Sequence, residues 1–197
     1  MHFADFTGAD FGRDTEMRGA NVVGATFSNT DLDYVNLENA IYNDSTIFPE
    51  GFDPNENDMI FLDNGSDLSN LGKRLEFAKM RFMFLENVNF ENSSLKRADL
   101  RSMDITGGNF KNTNMSRAYA LEMVARDCNF KNAKMKQTNF DGAIFENVDM
   151  SDADLRGAIF TFESAKNLNL EGTRYDQFTM FNDDFDPKAH GMIYEES

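Results

Sequence analysis

Apolar residues return along this chain at every fifth position. From Phe90 the series runs Phe90, Leu95, Leu100, Ile105, Phe110, Met115, Ala120, Ala125, Phe130 and Met135, then Phe140, Phe145, Met150, Leu155, Phe160, Ala165, Leu170 and Tyr175. A smaller series precedes each member by two residues and includes Val88, Ala98, Met103, Gly108, Thr113, Cys128, Ala133, Thr138, Ala153, Glu163 and Thr173. Residues 2–42 keep the same beat through Phe6, Phe11, Met17, Val22, Phe27, Leu32, Leu37 and Tyr42. One step there, Phe11 to Met17, is a residue too long, which predicts a one-residue bulge near Gly12.

Five matches neither the helical period nor the strand period. Within each unit, though, the two apolar residues are spaced as in a strand, with both side chains on one face. The remaining positions are polar or glycine, as in Asn109, Lys111 and Asn112 around Phe110. Each unit therefore predicts a very short strand followed by a turn. A chain that turns the same way at every unit closes into a coil, and coils stack through backbone hydrogen bonds about 4.8 Å apart. Asn and Asp suit the turns because they bond nearby backbone and tolerate unusual dihedrals. The prediction is an all-β solenoid. It makes Ala120 and Ala125 the thin places of the core, with Met123 between them restoring volume.

Two stretches break the period, 43–74 and 176–197, leaving repeat blocks at 1–42 and 75–175. The first stretch contains two of the three prolines, Pro49 and Pro54, and a turn at Asn64-Gly65. Residues 66–75 read either as a short helix capped by Ser66 or Asp67, with Leu68, Leu71 and Leu75 on one side, or as a surface loop. The second stretch copies the first. Tyr42 to Pro54 aligns without gaps to Tyr175 to Pro187, and Met59-Ile60 to Met192-Ile193. A duplicated segment that covers a solenoid end is the simple account, because only interior coils satisfy both strand edges. Two architectures fit: separate solenoids at 1–74 and 75–197, or one continuous solenoid over 1–197 with 43–74 as an excursion and 176–197 as its C-terminal cap. The first block is thin for an independent core, which favours the single solenoid.

The units Ala4-Asp5-Phe6, Ala9-Asp10-Phe11, Ala98-Asp99-Leu100 and Ala153-Asp154-Leu155 resemble those of the pentapeptide repeat family. The resemblance covers roughly three quarters of the chain. It implies a right-handed quadrilateral parallel β-helix with residues twenty apart stacked in ladders. Phe90, Phe110, Phe130, Met150 and Leu170 would form one ladder, and Leu95, Met115, Met135 and Leu155 another. The Tyr-x-x-x-Thr-x-Phe-x-x-x-Phe-Asp-Pro ending resembles that of cyanobacterial-type members.

Little in the sequence points to catalysis. The two histidines, His2 and His190, lie near opposite termini, and the one cysteine, Cys128, falls on the small inward series as a buried, inert thiol. No zinc spacing, nucleophile–base arrangement or phosphate loop is present; Gly107-Gly108 reads as a turn followed by a small inward residue. The acidic pairs Asp31/Asp33 and Asp152/Asp154 read as solvated turn residues. No catalytic residue, metal or cofactor is expected. Nor is a membrane span, since no window approaches the required apolar length. The N-terminal residues lack a leader pattern, so the expected setting is the cytoplasm.

Charge bears on partners. The chain is 197 residues long with a formal net charge of −15, which speaks against direct nucleic-acid binding. The long block 75–175 holds 14 acidic and 14 basic residues, and the acidic surplus lies elsewhere. A small basic cluster, Arg126, Lys131, Lys134 and Lys136, is the candidate contact for a protein partner. The leading expectation is a non-enzymatic scaffold that presents flat walls to an unidentified protein. The alternative comes from the resemblance, since some pentapeptide repeat proteins mimic duplex DNA and bind DNA gyrase. A neutral long block argues against that mimicry. A homodimer built through an uncovered N-terminal end is a third reading.

Overall fold

A computed structural model describes residues 3–196. The chain divides between Asp63 and Asn64 into two compact units. The expected excursion at 43–74 is thus shared, with 43–63 completing the first unit and 64–74 opening the second. Both units are built from stacked parallel strands of a right-handed β-helix.

In the first unit β1 (Thr15–Glu16) pairs with β2 (Val35–Asn36), and β3 (Ile41–Tyr42) with β4 (Ile60–Phe61). Isolated bridges join Asp5 to Thr26, Thr26 to Ile47 and Asn21 to Ile41. The core holds Val22, Ala25, Phe27, Leu37 and Ala40, with Phe6, Phe11, Phe48 and Phe52 packed partly buried against it. The predicted bulge is present. Thr15 Oγ1 donates to the Gly12 carbonyl at 2.8 Å, Asp14 takes a left-handed φ of 68°, and Met17 turns inward again.

The second unit is more regular. Its strands are β5 (Phe84–Glu86), β6 (Asp104–Thr106), β7 (Val124–Arg126), β8 (Ala143–Asp149), β9 (Ile159–Phe160), β10 (Phe162–Asn169), β11 (Arg174–Tyr175), β12 (Met180–Phe181) and β13 (Ile193–Tyr194). A five-stranded parallel sheet runs β5-β6-β7-β8-β10. Residues twenty apart pair along four walls: Lys79, Asp99, Tyr119, Asn139 and Ile159 on the first; Phe84, Asp104, Val124 and Ile144 on the second; Asn89, Asn109, Asn129 and Asp149 on the third; Ser94, Asn114, Lys134, Asp154 and Arg174 on the fourth. The inward ladders are as expected. Phe90, Phe110, Phe130 and Met150 are fully buried and Leu170 is 2% exposed. Phe110 stacks on Phe130 with ring centroids 4.4 Å apart. Ala120, Met123 and Ala125 are fully buried together.

Polar members of the small series are buried too, and each has a partner. Thr113, Thr138 and Thr173 donate their hydroxyls to the carbonyls of Phe90, Met115 and Met150 at 2.7–2.8 Å, so no donor is stranded inside. At Gly108 a side chain has no room: a Cβ there would lie 2.7 Å from Ile105 and 2.9 Å from Phe110.

Residues 66–75 form no helix. Asp67 bridges to Asn89 and Leu68 and Leu75 are buried, so this stretch is a coil of the second unit. Asp67 and Asn89 are two residues farther apart than the usual twenty, and a turn near 73–76 absorbs the excess before Phe77 N–H resumes the ladder at the Lys96 carbonyl. The inward series also fails at one place. Glu163 and Ala165 are exposed, because the register shifts between Phe162 and Ser164 and β10 is the last strand of its sheet. Phe162 packs there instead, with its ring 5.4 Å from Phe160 and 5.7 Å from Phe185.

Candidate interaction surface

The residues whose types suggest chemistry are scattered. His2 lies outside the described residues. His190 is exposed, its ring stacked 4.5 Å from Phe185 and its Nδ1 donating to the Asp186 carbonyl at 2.9 Å. Cys128 points into the core, and burial pushes its thiol up to about 11, so it is neutral at physiological pH. Among the described residues no group of His, Cys, Asp and Glu is arranged to hold a metal ion, and no helix is long and apolar enough to cross a membrane.

Of the four basic residues singled out in the sequence, three share the fourth wall and its turns and Arg126 lies on another. Lys134 lies on the fourth wall, with Lys131 and Lys136 in the turns on either side of it and Arg126 at the end of β7. Three of them face acids: Arg126 Nη1 is 2.7 Å from Asp104, Lys131 Nζ 3.6 Å from Asp152, and Lys136 Nζ 3.5 Å from Asp154. Asp154 also corrects the expectation of a solvated turn carboxylate. It is 3% exposed and sits on the fourth wall between Lys136, Arg156 and Arg174, the two arginines 2.8 and 3.4 Å away. Burial alone would raise its carboxyl, but bonds from the Arg156 side chain and backbone, helped by Arg174, hold it below the usual range. Arg156 in turn meets Glu195 at 2.9 Å. These cations tie coils together and are already neutralised. A cavity of about 790 Å³ lined by Lys136, Gln137, Arg156, Gly157, Asp176 and Phe178 opens beside them.

A different surface stands out on the first wall and its corners. Phe77 and Phe82 are each 57% exposed, Tyr119 55%, and Phe84 on the neighbouring wall 77%. Arg81 lies over the Phe82 ring at 5.4 Å, and Arg97 over Phe77 at 5.5 Å. Phe77 and Phe82 occupy corner positions with left-handed φ of 63° and 61°, a conformation bulky side chains rarely adopt. The sequence carried a signal for this surface. Phe77, Phe82 and Phe84 fall off the inward beat, in positions the repeat gives to polar residues. Reading only the inward series passes over them.

The five-residue unit, the four walls and the buried ladders define a pentapeptide-type β-helix. The chain belongs to the pentapeptide repeat family. The family's sequence profile, "Pentapeptide repeats", matches in 8 copies over residues 13–41, 75–119 and 126–161, more than half of the chain. No curated protein matches it. Among solved structures it is similar to a trypsin-treated form of QnrB1, a plasmid-mediated fluoroquinolone resistance protein, at 23% identity over 59% of this chain and 56% of that one, with a TM-score of 0.47. It is also similar to a pentapeptide repeat protein of the Arabidopsis thaliana thylakoid lumen, at 23% identity over 53% of this chain and 72% of that one, with a TM-score of 0.49. HetL, a pentapeptide repeat protein involved in heterocyst differentiation regulation in the cyanobacterium Nostoc sp. strain PCC 7120, matches over 94% of this chain and 88% of its own at 14% identity and a TM-score of 0.33. The first of these matches spans little more than half of the QnrB1 chain.

Proposed function

We propose that this chain is a non-enzymatic protein-binding module of the cytoplasm. The observation that carries the reading is the set of aromatic side chains left in water on two adjoining walls of the second unit and their corners, Phe77, Phe82, Phe84 and Tyr119. A soluble surface seldom keeps such rings together unless something covers them. Rigid stacked rungs hold them at fixed spacing, which lowers the ordering cost of binding. The charge distribution supports a protein over DNA mimicry: the third wall presents Asn89, Asn109 and Asn129 in file, a neutral row where a mimic needs continuous charge.

Cross-linking in the native host with mass spectrometry is expected to recover a protein held to the second unit. Recovery of nucleic acid alone, or of nothing, would overturn the reading. The DNA-mimic alternative has its own assay. Purified chain at micromolar concentration is expected to leave gyrase supercoiling unchanged, and inhibition there would favour the mimic.

A further inference from the structure

Resting on that protein-binding reading, we infer that the first wall of the second unit docks an acidic protein segment carrying one uncharged apolar anchor. Most cations of this wall and its corners lack an acidic partner. Lys79, Arg81, Lys96, Arg97 and Arg117 have no carboxylate within 4.0 Å among the described residues; on the same wall Arg101 is paired with Asp99 at 2.7 Å. On a chain with a net charge of −15, acids are plentiful, yet on this wall only Arg101 is paired with one, Asp99, and the other five cations outnumber the acids beside them. That charge is complementary to a partner's carboxylates.

The arginines are also held in place. With Arg81 and Arg97 lying over Phe82 and Phe77, their planar forks keep N–H edges free for bidentate carboxylate bonds. At the Arg81 corner, Arg81, Phe82, Arg101, Ser102, Leu121 and Glu122 line a hollow of about 220 Å³, room for a single side chain. Glu122 at its edge repels a carboxylate, so the group entering is apolar and the acids flank it.

The wall's length favours a short peptide segment. From Lys79 through Asp99 to Tyr119 is two rungs, about 10 Å, the span of roughly three extended residues. A nucleic-acid strand would run past this stretch onto the rest of a long block with no net charge, which offers its phosphates no further attraction. A short acidic segment keeps its charges within a screening length of the arginines.

The test uses the full chain and a fluorescein-labelled peptide in which glutamates flank one phenylalanine, read by anisotropy. Saturable binding that weakens with salt is expected. The double variant R81E/R97E should weaken it at least about tenfold, with an unchanged unfolding midpoint showing that the fold is kept. The control K131E/K134E should leave it unaltered. Absence of saturable binding, equal binding by R81E/R97E, or equal binding of the same peptide with lysines for glutamates would overturn the inference. So would tighter binding of oligothymidylate, or self-association of the chain that R81E/R97E abolishes, which would make the occupant a second copy. If R81E/R97E still captures the same protein in the host, this wall is wrong and the protein-binding reading stands. If the unaltered chain captures none, that reading falls.

Discussion

The two closing segments, 43–63 and 176–196, solve one problem with nearly the same atoms. Thr46 Oγ1 donates to the Val22 carbonyl at 3.1 Å and accepts from Gly24 and Asn43 N–H at 3.2 Å each. Thr179 Oγ1 does the same with the Leu155 carbonyl and with Gly157 and Asp176 N–H, at 3.2, 3.2 and 3.1 Å. Phe48 stacks on Phe52 at 4.9 Å, Phe181 on Phe185 at 5.1 Å, and Met59 and Met192 N–H each reach a proline carbonyl at 3.1 Å. Of the positions where the two copies differ, 43 and 176 change the bonding around this hydroxyl. Asn43 Oδ1 accepts the Ser45 N–H at 3.1 Å, whereas Asp176 Oδ1 gathers Gly157 N–H and Phe178 N–H at 2.9 and 3.0 Å and, at 3.1 Å, shares the Thr179 hydroxyl proton with the Leu155 carbonyl. The hydroxyl is the common closing device. The carboxylate is an addition that gives one segment a dependence on pH.

The largest expected effect lies in the ring under each closing segment. Phe27 and Phe160 are both fully buried, and truncation of either to alanine should cost about 3–5 kcal/mol by chemical denaturation. Phe160→Ala should be the worse, because Phe140 and Phe145 beside it are fully enclosed while Phe6 and Phe11 beside Phe27 are only partly buried and can relax. A Phe27 loss well above the Phe160 loss would break the comparison. Next come Thr46→Val and Thr179→Val, each removing a donor and a shared acceptor at about 1–3 kcal/mol. Hydrogen exchange should show the Gly24 amide deprotected more than Gly157, which retains Asp176.

The carboxylate sharpens the contrast through acid. Burial alone would raise the Asp176 carboxyl, but the Gly157 and Phe178 amides and Thr179 outweigh it and lower the folded value. A folded value below the unfolded one means the stabilisation is present above about pH 4 and lost as pH falls through the folded value. Asp154 adds to the same acid limb. Asp176→Asn, which makes the second segment resemble the first, should flatten the loss of stability between about pH 5 and pH 3. An unchanged acid limb would remove Asp176 from the account.

Much of this was legible in the chain. The beat of five marked Phe90, Phe110 and Phe130 as inward, the resemblance to the pentapeptide repeat family implied their ladder, and the copied Thr46 and Thr179 marked equivalent closures. Other features depend on what lies twenty residues away. Asp154 reads as a turn acid until the fourth wall brings Lys136, Arg156 and Arg174 around it. Arg126 is close along the chain to Lys131, Lys134 and Lys136 yet lies on another wall, whereas Arg81 and Arg101 are separated in sequence and share one hollow. Ala165 keeps the beat and still faces water, because the next rung that would cover it does not exist in its sheet.

Corner dihedrals were least visible, and they give the smallest prediction. Left-handed φ recurs every five residues through the second unit at Asn92, Arg97, Ser102, Gly107, Asn112, Arg117, Glu122, Asp127, Asn132 and Gln137. The first unit fills most of its corners with residues that accept this conformation, Gly8, Gly19, Gly24, Asn29 and Asn39. The second unit places long side chains in several of them, at some cost from Cβ against the following carbonyl. Gln137, at φ 57°, sits one step from Asn132 at φ 58° and differs by a single methylene. Gln137→Asn should therefore raise stability by at most about 1 kcal/mol, since Asn visits this region more readily. Asn29→Gln in the first unit should lower it by a similar amount. If both changes are neutral, neighbouring rungs impose the corners so firmly that residue type no longer matters there, and the two units differ in sequence at their corners without differing in strain.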